Sequence, residues 1–132
     1  MTERLGLILL DVTPGSGGEF DRSFLERTGH DVVVCHGPEH RELCPLLAGT
    51  GCDMVDRAHG IVFALDLDHA QHRAILQRYR DVTRPEVPIQ VVVRPGQRAK
   101  YADLLTEFEA WEHEPTVAEL DGFAAGVEAA DR

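Results

Sequence analysis

Apolar residues along the chain fall into short runs that alternate with segments of helical periodicity. Four runs, at residues 5–12, 32–35, 61–67 and 89–93, are rich in Val, Ile and Leu and are followed by turn-forming or charged residues. Such near-continuous apolar runs are typical of strands that are buried on both faces. A weaker fifth strand is predicted at residues 109–114.

The segments between these runs carry apolar residues at helical spacing. Helices are predicted at residues 19–27, 69–82 and 99–108 and after Pro115. Thr116 and Glu119 have the spacing of a capping box, which predicts where the last helix begins. Between the second and third strands, residues 49–51 are Gly-Thr-Gly, so a broken helix or a helix with a structured loop is expected there.

Regular alternation of strands and helices predicts an α/β fold. Right-handed crossovers then produce a five-stranded parallel sheet with helices on both faces, a three-layer sandwich. With 132 residues and neither an internal repeat nor a linker, the chain is predicted to form one domain over residues 1–132.

The formal charge of -10, from 23 acidic and 13 basic side chains, argues against binding to nucleic acid or to anionic lipid. The longest apolar stretch near the start is far shorter than the roughly 20 residues of a membrane helix, and no signal peptide is expected. Three cysteines do not form a secreted disulfide framework. We therefore expect a cytoplasmic domain with a protein partner.

In a parallel sheet of this kind, functional side chains gather beyond the carboxyl ends of the strands. Asp11, Asp66 and Asp68 follow or end the first and third apolar runs. If those two strands are neighbours, their carboxylates would form an acidic pocket that can bind a divalent ion or present a nucleophile.

The element order and residues 61–68, Ile-Val-Phe-Ala-Leu-Asp-Leu-Asp, resemble the receiver domain of bacterial response regulators, which has a flavodoxin-like topology. The resemblance implies that Asp66 is the phosphoacceptor and that Asp11 belongs to an acidic metal site, with Mg²⁺ between Asp11 and Asp66. Three positions depart from the family. Val12 replaces a second acid, Arg94 replaces a hydroxyl residue, and Glu114 replaces the lysine before a proline.

These departures remove groups that stabilise a transferring phosphoryl group. The resemblance therefore implies a stand-alone receiver-like or pseudo-receiver signalling domain without catalytic turnover or standard aspartyl phosphorylation. It also implies contact with a protein partner, and a homodimer is one form of that contact. Tyr101, Leu104, Phe108 and Trp111 are the candidate interface residues.

The alternative function is a thiol-redox or metal-responsive sensor centred on Cys44 and Cys52. These cysteines flank the glycine-containing bend, and Cys35 and His36 are further candidate ligands. No Cys-x-x-Cys pair is present, and Cys35 also suits a small core side chain. A third hypothesis is a small hydrolase or nucleotide-binding enzyme that uses Asp11, Asp66 and the glycine-rich turn at residues 14–18.

Overall fold

A computed structural model describes residues 6–13, 18–36, 44, 46, 48–49 and 51–131 of the chain. Within these residues, five strands form one sheet: β1 (Leu7–Val12), β2 (Asp31–Cys35), β3 (Gly60–Ala64), β4 (Ile89–Val92) and β5 (Glu109–Trp111). All neighbouring pairs are parallel, and the strand order is β2-β1-β3-β4-β5. Leu9 of β1 lies between Val33 and Ile61 of its two neighbours. The predicted parallel sheet and its flavodoxin-like order are confirmed.

Five of the described helices lie between strands: α1 (Gly18–Arg27), α2 (Asp53–Arg57), α3 (Ala70–Val82), α4 (Gln97–Lys100) and α5 (Ala102–Leu105). A sixth, α6 (Val117–Asp131), follows β5. The prediction of one helix over residues 99–108 was wrong. Two four-residue helices occupy this region, and they meet at Tyr101, whose φ of -114° and ψ of 32° are not helical. None of the described helices is long and apolar enough to cross a membrane.

The third strand is shorter than predicted, because the chain turns after Ala64. The backbone N–H of Asp68 donates a hydrogen bond of 3.0 Å to Oδ1 of Asp66, which is a local Asp turn. Leu65 and Leu67 remain buried beyond the strand. The apolar run at residues 61–67 is therefore a strand followed by a buried turn.

Two hydrophobic clusters pack on opposite faces of the sheet, as the period of two along each strand requires. Leu9 and Phe63 face the cluster that contains Leu76 and Tyr79 of α3. Ile8, Leu10 and Val62 face the other cluster, to which α1 contributes Leu25 and α6 contributes Ala124 and Val127. The three-layer sandwich is thus confirmed, and each strand divides its side chains between the two layers.

Two helices, α1 and α6, begin at positions that close packing and capping near the carboxyl edge of the sheet determine. A Cβ added to Gly18 would lie 2.6 Å from Cγ2 of Val12, so only glycine lets α1 begin this close to the end of β1. The predicted capping box is present: Oγ1 of Thr116 accepts from the N–H of Glu119 at 3.2 Å, and Oε1 of Glu119 accepts from the N–H of Thr116 at 3.0 Å.

Candidate functional site at the carboxyl edge of the sheet

Asp66 lies two residues beyond β3, at the edge where the strands end. Its side chain is 27% exposed and forms an ion pair with Arg94, which lies beyond the end of β4. Parallel pairing of β3 with β4 places these two residues side by side. The predicted acceptor is therefore already bound by a cation of the same chain.

Gln97, at the start of α4, bonds both Asp66 and Arg94. Its side chain is only 4% exposed. Its Nε2 donates to Oδ1 of Asp66 at 2.9 Å, and its Oε1 accepts from the backbone N–H of Arg94 at 3.1 Å. Partial burial raises the pKa of Asp66, but the N–H of Asp68, the Gln97 amide and the Arg94 guanidinium outweigh it, and the pKa lies below its ordinary value. Asp66 is an ionised and fully bonded carboxylate.

Asp68 faces a different set of partners. Its Oδ1 accepts from the hydroxyl of Tyr101 at 2.5 Å and from Nζ of Lys100 at 2.9 Å. These two donors lower the pKa of Asp68 to about 2. The carboxylate thus connects the loop after β3 to the junction of α4 and α5.

Asp11 lies inside β1, not beyond its end, and is fully buried. It shares the α3 face of the sheet with Leu9, and its Oδ2 accepts from the hydroxyl of Tyr79 at 2.5 Å. Burial raises the pKa of Asp11 to about 7, although the Tyr79 hydroxyl and the Cys35 thiol partly offset the effect. Oδ1 has no hydrogen-bond partner among the described residues.

The predicted acidic pocket is not assembled as expected. Asp11 lies within β1, and Asp66 and Asp68 follow the neighbouring strand β3. Asp11 pairs with Tyr79, whereas Asp66 and Asp68 pair with residues around α4. A site for Mg²⁺ between Asp11 and Asp66 does not fit this donor set, because the Asp11 carboxyl is buried and bonded to Tyr79 and the Asp66 carboxylate is paired with Arg94. Across the described part of the chain, no three His, Cys, Asp or Glu side chains are grouped to hold a metal ion.

A cleft of about 520 Å³ opens beside Arg94, at the carboxyl ends of β1, β3, β4 and β5. Its lining is predominantly apolar and includes Val12, Ala64 and Val92 from three neighbouring strands. Asp21 of α1 and Glu114 lie in its wall. Partial burial, and then the nearby charge of Glu114, raises the pKa of Asp21 to about 6.

The cysteine candidates lie elsewhere. Cys35, Cys44 and Cys52 form no disulfide, and all three are partly buried against the cluster on the α3 face. His36 lies beyond β2, and its Nδ1 is 2.9 Å from the carbonyl oxygen of Val12. Residues 37–43, between His36 and Cys44, lie outside the described part of the chain, as do residues 14–17 of the glycine-rich turn.

The candidate interface residues are partly buried. Tyr101, Leu104 and Phe108 pack against the core cluster on the α3 face, and Tyr101 also bonds Asp68. The ring of Trp111 stacks on that of His113, with 6.4 Å between centroids. Each side chain keeps an exposed part, so all four contribute to the surface around α4, α5 and β5.

Three residues of this region were not among the sequence candidates: Gln97, Tyr79 and Asp21. Gln97 follows the Arg-Pro-Gly turn, and Tyr79 occupies an ordinary apolar position of a helix. Asp21 belongs to the acidic first turn of α1, which is common in helices. No pattern in the sequence distinguishes these residues, because their roles come from contacts between distant segments.

No protein-family profile matches the sequence, and no curated protein sequence matches it. Solved structures do match the fold. The Francisella response regulator 1452 receiver domain is 13% identical and has a TM-score of 0.66, over 96% of this chain and 99% of that domain. The phosphorylated cyanobacterial phytochrome response regulator RcpA is 18% identical, with a TM-score of 0.58 over 96% of this chain and 91% of RcpA.

NtrX from Brucella abortus, solved in complex with ADP, is 15% identical and has a TM-score of 0.66. The match covers 96% of this chain but 27% of the NtrX chain, so the present chain spans about a quarter of that protein. The chain therefore has the fold of response-regulator receiver domains, as its element order indicated.

Proposed function

We propose that this chain is a pseudo-receiver signalling domain that acts through contact with a protein partner and does not use aspartyl phosphorylation. The observation that carries the proposal is the ion pair between Arg94 and Asp66. Arg94 stands where the resemblance to receiver domains places a hydroxyl residue. A hydroxyl at this position would assist phosphoryl transfer, whereas the Arg94 guanidinium occupies the carboxylate of the acceptor, Asp66.

Both carboxylate oxygens of Asp66 are already bonded. Oδ1 accepts from the N–H of Asp68 and from Gln97, and Oδ2 lies against Arg94. Nucleophilic attack on a phosphodonor would require Asp66 to exchange these bonds for new ones. A carboxylate whose pKa is lowered in this way is also a weaker nucleophile.

Three further positions, Glu114, Val12 and Asp11, do not favour a phosphoryl group either. Glu114 stands at the position where the family has a lysine, so a negative charge replaces a positive one. Val12 supplies no oxygen for a metal ion, and the carboxyl of Asp11 is bonded to Tyr79. Phosphoryl transfer relies on cations and hydrogen-bond donors around the transferred oxygens, and these positions do not supply them.

The test is incubation with acetyl phosphate and Mg²⁺, followed by intact mass measurement at neutral pH. We expect no phosphoryl adduct on the wild-type chain, while an authentic receiver domain in the same solution becomes phosphorylated. The Arg94→Thr, Glu114→Lys double variant restores two family residues and is the matched comparison. A stoichiometric wild-type adduct that disappears in Asp66→Asn would refute the proposal.

The proposed partner contact lies on the surface of Tyr101, Leu104, Phe108 and Trp111. Partly exposed aromatic and aliphatic side chains in one region are typical of interface anchors. A homodimer is the simplest form of this contact, because one patch can pair with its own copy. Light scattering over a concentration series tests it: a dimer that Trp111→Ala weakens supports the homodimer, and a strict monomer directs the proposal to a different protein.

A further inference from the structure

The cleft beside Arg94 has the properties of a small-molecule site, and this inference is independent of the pseudo-receiver proposal. Its volume of about 520 Å³ lies within the roughly 300–1,000 Å³ of ligand pockets. Val12, Ala64 and Val92 supply apolar surface from three adjacent strands. Phe20 also lines it and is 54% exposed, which makes it one of the few large apolar side chains left open to solvent among the described residues.

The two basic side chains in the lining, Arg94 and His113, already have acidic partners. Arg94 forms its ion pair with Asp66. Nε2 of His113 lies 2.8 Å from Oε2 of Glu119. Each of these two side chains is therefore already held by a carboxylate of the same chain.

The lining also contains two carboxyl groups, Asp21, which is half-buried, and Glu114, which is exposed. Neither of them has an ion-pair partner within the described part of the chain. The two carboxyl groups lie close enough for Glu114 to affect the titration of Asp21. A cation placed between them would offset this repulsion and favour the ionised form of Asp21.

We propose that this cleft binds a small organic cation, in which an ammonium group lies between Asp21 and Glu114 and an aromatic or aliphatic body packs on Phe20 and the apolar floor. A divalent metal ion suits the site less well, because it requires about six oxygen ligands and only two carboxylates are available. An anionic ligand would meet the same two charges as repulsion.

Three indole compounds with closely similar bodies test the proposal: tryptamine carries an ammonium, tryptophol a neutral hydroxyl and indole-3-acetate a carboxylate. Each is titrated into the ¹⁵N-labelled chain, and amide shifts are recorded. We expect saturable shifts for tryptamine at cleft residues such as Ala64, Val92 and Glu114. Tryptamine should bind about tenfold more tightly than tryptophol, since each partly screened carboxylate contributes a factor of about three to five, and indole-3-acetate should bind most weakly.

Variants separate the charge from the apolar contact. Asp21→Asn with Glu114→Gln should remove the preference for tryptamine over tryptophol, and Glu19→Gln, an exposed carboxylate of the same helix outside the cleft, should preserve it. Phe20→Ala should weaken the binding of tryptamine and of tryptophol by a similar factor. The proposal is overturned if tryptamine gives no saturable shifts, if the two compounds bind equally to the wild type, if the double variant keeps the preference, or if MgCl₂ displaces tryptamine at equal ionic strength.

Discussion

The hydroxyl of Tyr79 donates a hydrogen bond of 2.5 Å to Oδ2 of Asp11 within the layer between the sheet and α3. The two residues are 68 positions apart in the chain and are both buried. The bond joins β1 to α3 and passes over the neighbouring strand β3. Phe63 of β3 contacts the Tyr79 ring edge-on, with 6.0 Å between the ring centroids. A buried carboxyl group at this position needs such a donor to offset its desolvation.

Removal of the Tyr79 hydroxyl should destabilise the domain. Tyr79→Phe keeps the shape of the ring but leaves Oδ2 of Asp11 without its hydrogen-bond donor. We therefore expect a loss of about 1–3 kcal/mol in the free energy of unfolding. Urea denaturation measures it. In an Asp11→Leu background the same substitution should cost much less, and an equal cost in both backgrounds would show that the hydrogen bond is not the cause.

The stability of the domain should depend on pH through Asp11. Its pKa is about 7 in the folded state and 3.8 as the ordinary value, so the folded state holds the proton more tightly. The contribution of Asp11 to the free energy of unfolding is fully present below about pH 4 and is lost as pH rises through about 7, with a total on the order of 2–4 kcal/mol. Asp11→Asn should remove this part of the pH dependence.

Urea denaturation of the wild type and of Asp11→Asn at about pH 5 and about pH 8 tests that prediction. The variant should gain stability relative to the wild type as pH rises. Asp21 titrates in the same direction and is present in both proteins, so it cancels in the difference. A difference that does not change with pH would contradict the assignment to Asp11.

Loss of the Arg94 guanidinium should release Asp66 without unfolding the domain. Arg94 is 53% exposed, so Arg94→Gln should change the free energy of unfolding by no more than about 1 kcal/mol. The pKa of Asp66 should rise toward its ordinary value, as measured by carboxyl ¹³C shifts in a pH titration. Arg98→Gln is the control, and an unchanged Asp66 titration in Arg94→Gln would show that the ion pair is absent in solution.

The capping box of α6 should contribute measurably to stability. Thr116→Ala removes the acceptor for the N–H of Glu119, and we expect a loss of about 1 kcal/mol. The exposed neighbour Val117→Ala serves as a control for side-chain size, and thermal or urea unfolding gives the comparison. Equal effects of the two substitutions would rule out the cap as the source of the loss.

Local pattern was sufficient for much of the fold. The four apolar runs marked β1 to β4, a weaker fifth strand was predicted where β5 lies, and the spacing of Thr116 and Glu119 located the start of α6. The errors occurred where local pattern is ambiguous. Tyr101, Leu104 and Phe108 have helical spacing, yet the helix breaks at Tyr101, where the hydroxyl bonds Asp68 and the backbone leaves the helical region. The break in the helix thus coincides with a contact to the loop after β3, and the spacing of apolar residues cannot reveal such a contact.

The candidate site was predictable only in outline. That Asp66 lies at the carboxyl edge of the sheet follows from its place at the end of an apolar run. The burial of Asp11 was missed because the sequence does not show where within the apolar run the strand ends. A shift of one residue moves a side chain to the opposite face or out of the sheet.

The sequence by itself determined the fold class, the parallel sheet and the departures from receiver chemistry at Val12, Arg94 and Glu114, because periodicity and residue type are properties of the chain. The tertiary structure decided that Asp66 contacts Arg94, that Asp11 contacts Tyr79, and that Asp21 and Glu114 line the same apolar cleft. These pairings join segments between 28 and 93 residues apart, and only the packing of strands and helices sets the distances between such side chains.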